Sequence, residues 1–269
     1  MPPAALKPGK GVSMLLYGLP GAGKTRLLGS ASSILILRPP TDHTDSITPP
    51  ATGVEEWVLD DWTSMLEAFQ FIQQGGGKNY DWIALDSISL MQDFLLDDVL
   101  NDAIIRKPTR AVEKVKGVKT PEYGPDQGEY RVNMDRLRKW LGDMVGLAKS
   151  GMFNFAVTAH PFEWWDPVRE IDVWSPWVQG KNMSPKTCGY MNIVAYMSAT
   201  EKEDKERQET LLVDAEGFVG KDQYRCFPKL KSGRHGFINP TMGDIEAVLK
   251  KRAGARTRKT ASKRRTRRK

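Results

Sequence analysis

Ser13-Met14-Leu15-Leu16-Tyr17-Gly18-Leu19-Pro20-Gly21-Ala22-Gly23-Lys24-Thr25 is the stretch whose reading decides the fold. Its first five residues are an apolar run of strand length, and Gly18, Leu19, Pro20, Gly21, Ala22, Gly23, Lys24 and Thr25 satisfy G-x-x-x-x-G-K-[ST] in full. Glycines at this spacing let the backbone bend around phosphate, so that consecutive N–H groups and the start of the next helix point at the anion. Lys24 is expected to reach the β- and γ-phosphates, and the Thr25 hydroxyl to ligate Mg²⁺. ATP and Mg²⁺ are the expected ligands.

Outward from this loop, Arg26–Ser30 continues a helix and Ile34–Leu37 reads as a second strand, the beginning of a parallel α/β sheet. Pro39–Gly53 reads as a long loop and Val54–Leu59 as a strand. Trp62, Met65, Leu66, Phe69 and Ile72 then fall at helical spacing, with Asp61 as cap and Gly75-Gly76-Gly77 as stop. Trp82–Leu85 is a buried-strand candidate ending in Asp86, and a helix follows through Ile104. Arg106–Gly128 reads as an exposed insertion, Tyr130–Ser150 as an amphipathic helix, and Phe153–Thr158 as a strand. His160–Lys186 is a second long irregular stretch holding Trp164, Trp165, Trp174 and Trp177. Tyr190–Ser198, Thr210–Val213 and Gln223–Phe227 read as late strands, the last two as a hairpin around Glu216-Gly217. A short helix over Met242–Arg252 leads into the C-terminus.

Three further residues complete a candidate catalytic set with Lys24. Asp86 closes an apolar strand, where a P-loop protein places its second metal-binding group; its alternative role is to cap the next helix, with Ser87 as competitor. Asp42 lies just beyond Ile34–Leu37, on the same carboxyl edge of the sheet as the loop, and is a candidate to orient or deprotonate water or else a carboxylate that caps a turn. His160 follows Phe153–Thr158 and is a candidate γ-phosphate sensor or a histidine satisfied by local backbone. Thr25 and Asp86 are the candidate metal ligands.

The order of Gly18–Thr25, Asp86-Ser87, a long amphipathic helix and Thr158-Ala159-His160 resembles the phage-encoded RecA-like P-loop ATPases of the single-strand-annealing (Sak-type) group. Gly180-Lys181 before Asn192–Met197, and Lys229–Gly233 before Asn239-Pro240, extend the resemblance across about Ser13–Leu249. It implies a RecA-like α/β core, with a mainly parallel sheet flanked by helices and a late β-hairpin, that binds ATP and Mg²⁺ and forms a homo-oligomeric ring or filament. It also implies annealing or recombination of single-stranded DNA, alongside other recombination or replication proteins. Thr41-Asp42-His43 is similar to the site of the catalytic carboxylate, with Asp where the recombinase proper has Glu. Lys229-Leu230-Lys231 is similar to the Lys-x-Lys pair sent into a neighbour's nucleotide site; an exposed basic hairpin is the other reading. DNA contact is then expected in two segments. One carries Arg106, Lys107, Arg110, Lys114, Lys116 and Lys119 for phosphates. The other carries Trp164, Trp165 and Lys181, suited to stacking on bases, although tryptophans also serve as packing.

The charge fits this division. The chain has 269 residues, with 40 Lys+Arg against 33 Asp+Glu, a formal charge of +7. Lys251–Lys269 holds eleven Lys/Arg, Arg264 and Arg265 among them, and no acid, so the remaining 29 basic and 33 acidic residues carry −4. We expect a flexible start over residues 1–12, an ATPase domain over 13–250, and a disordered basic tail over 251–269 that attaches to nucleic-acid phosphates or serves solubility or localisation. Cys188 and Cys226 form no zinc spacing and no disulfide framework, and three histidines are too few for a histidine-built metal centre. With no apolar run of membrane-spanning length and no apolar leader in Met1–Lys10, the expected location is cytoplasmic, in the host cell if the chain is phage-encoded. The rival readings are a helicase-like or packaging motor, and a binding module in which ATP acts as a switch without turnover.

Overall fold

Strands that are apolar on both faces must be covered on both faces, and the architecture follows from that requirement. The computed structural model describes residues 11–47, 52–106, 127–180, 183–201, 206–214 and 217–251. The chain runs β1 (Ser13–Tyr17), α1 (Lys24–Leu28), β2 (Ile34–Arg38), β3 (Val54–Val58), α2 (Trp62–Gln73), β4 (Trp82–Leu85) and α3 (Ile88–Arg106). After α4 (Gln127–Ser150) come β5 (Asn154–Ala159), β6 (Pro161–Asp166), β7 (Ile171–Pro176) and α5 (Met183–Tyr190). The last strands are β8 (Ile193–Glu201), β9 (Arg207–Asp214), β10 (Lys221–Asp222) and β11 (His235–Ile238), and a helix over 242–251 follows.

One sheet has the order β11-β9-β8-β1-β5-β4-β2-β3, with β10 also on β8. From β8 to β3 every neighbouring pair is parallel, whereas β9, β10 and β11 join antiparallel. The expected α/β core, a mainly parallel sheet flanked by helices, is the fold the chain adopts. Alternate strand residues feed two cores. Leu15, Leu37, Leu85 and Val157 pack with Met65, Met91 and Leu141 of α2, α3 and α4 on one face. Met14, Ile36, Ala84 and Ile193 pack with Leu27 and Leu28 of α1, and with Met242 and Ile245, on the other. Trp82 donates its indole N–H to Glu246 at 3.0 Å, pinning the 242–251 helix to the sheet. At α2 the expected cap is present: Asp61 accepts from the Ser64 N–H at 2.6 Å, and Ser64 Oγ accepts from the Asp61 N–H at 3.0 Å.

Three expectations about local structure are corrected. His160–Lys186 is not irregular throughout: β6 and β7 form a two-stranded antiparallel ribbon, with Pro161 opposite Pro176 and Asp166 opposite Ile171. Its turn is built by Asp166, which accepts from the N–H groups of Val168 and Arg169 at 2.9 and 3.3 Å, with Glu170 at φ +56°. Gln223–Phe227 is not a strand. The Asp222 carboxylate captures the N–H groups of Tyr224, Arg225, Cys226 and Phe227, which removes them from any sheet ladder. The late antiparallel partners of β9 are β8 and β11. Finally, α4 starts at Gln127, earlier than the Tyr130 start that the periodicity suggests, and the rest of the expected insertion, residues 107–126, lies outside the described residues. No helix among the described residues is long and apolar enough to cross a membrane.

Candidate nucleotide-binding site

Four parallel strands deliver the candidate residues to one edge of the sheet. β1 ends before Gly18, β2 leads to Asp42, β4 ends before Asp86, and β5 ends before His160. Gly18 must be glycine because a Cβ there would lie 2.0 Å from the Met197 carbonyl oxygen of β8. Gly23, just before α1, has φ +92°, a left-handed conformation that other residues rarely adopt. These two constraints shape the bend between β1 and α1.

Lys24 is buried and donates to the carbonyls of Gly18 at 2.7 Å and Leu19 at 3.1 Å. Burial pushes its pKa down, against the opposing negative charges of Asp86 and Asp42. Thr25 Oγ1 donates to Asp86 Oδ2 at 2.7 Å, and the buried Thr158 donates to Asp86 Oδ1. β5 lies beside β4, which places Thr158 next to Asp86. Burial pushes the Asp86 pKa up; the hydrogen bonds from Thr158 and Thr25 and the charge of Lys24 pull it down, and the charge of Asp42 adds to the rise. Asp86 does not cap the following helix. Ser87 Oγ does so, accepting from the Leu90 N–H at 3.4 Å.

Asp42 is half-buried and acts electrostatically on Lys24, Asp86 and His160, so the four candidate residues share one neighbourhood. Locally its carboxylate accepts from the His43 N–H at 3.0 Å, and Arg38 holds its carbonyl at 2.8 Å. The His160 pKa is pushed down, first by burial and then by Lys24, so its imidazole is neutral at pH 7. Its backbone N–H donates to Ser89 Oγ at 2.9 Å, and that hydroxyl donates to the Trp177 carbonyl at 2.8 Å. Ser89 thus ties both feet of the β6–β7 ribbon to the first turn of α3. On the ribbon, Trp164 and Trp165 are exposed and point to opposite faces.

Lys229 and Lys231 lie apart from this site. They occupy an exposed turn before β11, closed by the Leu230 N–H on the Arg234 carbonyl at 2.7 Å. Because β11 runs parallel in sense to β1, that turn sits at the amino edge of the sheet, opposite the Gly18–Thr25 loop. Lys107, Arg110, Lys181, Arg264 and Arg265 lie outside the described residues, as does the side chain of Arg106. Two contributors have weak sequence signals. Thr158 is a lone hydroxyl in an apolar strand, and Glu209, on β9, is a buried carboxylate against the loop that no motif marks.

The residues fit a nucleotide with its metal. Thr25 and Asp86 offer hard oxygen donors side by side, suited to Mg²⁺ with phosphate and water completing its shell. Lys24 and the backbone N–H groups offer the complementary charge for phosphates. No curated protein matches the chain. A family model described as an AAA domain matches residues 10–224, the loop, Asp86 and His160 included, and the chain belongs to that family of P-loop ATPases.

Proposed function

We propose that this ATPase couples ATP binding and hydrolysis to the binding and annealing of single-stranded DNA, in phage recombination or replication. The observation that carries the reading is the β6–β7 ribbon. It begins one residue after His160, presents Phe162, Trp164 and Trp165 to solvent, and is fastened to the helix that follows Asp86. Exposed aromatic rings provide platforms for unpaired bases of any sequence. The eleven basic residues of Lys251–Lys269 supply salt-sensitive attachment to phosphates.

In the proposed cycle Lys24 and the loop N–H groups hold the β- and γ-phosphates, while Thr25 and Asp86 hold Mg²⁺. When bound, the metal neutralises charge on the phosphate oxygens. Asp42 orients the attacking water and takes its proton as the bond from the γ-phosphorus to the bridging oxygen breaks, giving ADP and phosphate. Neutral His160 reports the γ-phosphate by hydrogen bonding, and the ribbon that follows it responds. Lys229 and Lys231, at the opposite edge of the sheet, act on a neighbour's site in a ring or filament.

The test is ATP turnover by the full chain with and without single-stranded DNA, together with annealing of complementary strands. Stimulation by DNA and annealing without unwinding are expected. Displacement of a strand from a forked duplex points to a motor instead, and ATP binding without DNA-stimulated turnover points to a switch. Truncation after Lys250 should weaken DNA binding and flatten its salt dependence while leaving ribbon-dependent binding in place. Complete loss of binding would remove the ribbon from the account.

A further inference from the structure

A buried carboxylate needs a physical reason, and Glu209 has no part in the chemistry above. Its side chain lies directly beneath the phosphate loop: a Cβ on Gly23 would sit 2.3 Å from Glu209 Oε1. Oε2 accepts from Arg26 at 2.7 Å, and Oε1 accepts from Arg207 Nε at 3.1 Å. Arg207 also donates to the Gly21 carbonyl. The backbone of Glu209 is itself fixed, since its N–H donates to Asn239 Oδ1 at 2.8 Å and its carbonyl accepts from the Asn239 N–H at 2.7 Å. One carboxylate on an antiparallel strand is therefore connected to the crest of the loop through Arg207 and to the start of α1 through Arg26.

We propose that Glu209, Arg207 and Arg26 form a brace that positions the phosphate loop for nucleotide. The directions of the loop N–H groups decide how well they meet phosphate, and a loop held in shape beforehand loses less freedom on binding. Gly23 lacks a side chain where the carboxylate must approach, so Gly23 and Glu209 are one design. The brace acts on the affinity for nucleotide. It stands apart from the phosphorus centre, so it leaves the chemical step alone. This inference rests on ATP occupying the loop.

The experiment measures equilibrium binding of ATP, turnover at saturating ATP and the thermal midpoint for the full chain and for Arg207→Ala, Glu209→Gln and the double variant. Each single variant is expected to weaken ATP binding about tenfold, the scale of a lost hydrogen bond to a charged group, with turnover at saturation within about twofold of wild type. The double variant should bind no worse than the weaker single, because both changes break one brace. Arg207→Lys should not restore binding, since an ammonium group lacks the fork that spans Glu209 and Gly21. Glu209→Gln gives a decisive sign. Simple electrostatics predicts tighter ATP binding after loss of a negative charge, whereas the brace predicts weaker binding. Wild-type affinity in both single variants, tighter binding by Glu209→Gln, or losses that multiply in the double variant each overturn the proposal. Should Glu209→Gln fail to fold, Arg207→Ala, at a half-exposed residue, decides alone. A wild-type chain that does not bind ATP overturns the nucleotide reading itself.

Discussion

The phosphate loop and the β6–β7 ribbon are neighbours at one edge of the sheet, yet they depart from ordinary burial in opposite directions. At the loop, charged groups go inside: Lys24 is 8% exposed, Asp86 4% and Glu209 2%. On the ribbon, apolar groups stay outside: Phe162 is 52% exposed, Trp165 55% and Val168 90%. Each arrangement costs the isolated chain, through desolvation in one case and unburied apolar surface in the other. The loop repays its cost with internal partners, Asp86 with Thr25 and Thr158, and Glu209 with Arg26 and Arg207. The aromatic surface of the ribbon is the kind that an external partner covers. On the proposed reading, chemistry belongs where charge is buried and paired, and docking where apolar surface is left open.

The sharpest way to break this division is Lys24→Ala. Removing the one side chain expected to neutralise the transferred phosphate should lower ATP turnover at least about a hundredfold, measured as phosphate release under saturating ATP. The far-ultraviolet circular dichroism should stay that of the wild type. Residual activity within tenfold of wild type would show that the buried cation is structural.

A pair of tryptophans probes the same division from the other side. Trp140, on α4, is buried against Phe155 with ring centroids 6.1 Å apart, whereas Trp165 stands in solvent. Trp140→Ala should cost about 3–5 kcal/mol in chemical denaturation. Trp165→Ala should move stability by no more than about 0.5 kcal/mol, yet weaken single-stranded DNA binding by about 1–3 kcal/mol in a fluorescence titration. Stability lost in Trp165→Ala with DNA affinity retained would return that ring to a packing role.

These two regions also differ in how far they were legible in the sequence. The loop was readable because its constraints are local: Gly18, Gly23, Lys24 and Thr25 sit at fixed spacing, and an apolar run terminates in Asp86. The parallel core was readable for a similar reason, since Trp82–Leu85 and the Phe155–Val157 centre of the Phe153–Thr158 run are apolar and so must be covered on both faces. The ribbon was not. Phe162, Trp164 and Trp165 show no clean alternation, and prolines at 161, 167 and 176 look like loop punctuation, although two of them only face each other at the open end. Gln223–Phe227 misled in the converse way. Its composition suits a strand, but one preceding side chain, Asp222, takes the backbone donors a strand needs. Glu209 lies 186 residues beyond Gly23, and what brings the two together is the register of an antiparallel strand, which leaves no local mark on the sequence.

The smallest expected effect is also the one that separates function from stability at a single atom. Asp86→Asn keeps the shape of a buried side chain and removes its charge. The carboxyl pKa of Asp86 is raised in the fold chiefly by burial, so the folded protein binds this proton more tightly than the unfolded chain does. A raised folded pKa means that the contribution of this group to stability is fully present below the unfolded value and is lost as pH rises through the folded one. At neutral pH this carboxyl therefore weighs against folding. Asp86→Asn should raise the unfolding free energy by about 1 kcal/mol there, while the gain disappears as the pH falls below the ordinary carboxylate range, where the wild-type group is protonated in both states. Denaturant titrations at neutral and acid pH check the sign, and turnover, with one proposed metal ligand gone, should fall at every pH. A variant less stable than wild type at neutral pH would mean that Lys24, Thr25 and Thr158 more than offset the burial of Asp86, and that the loop carries its charges without strain on the fold.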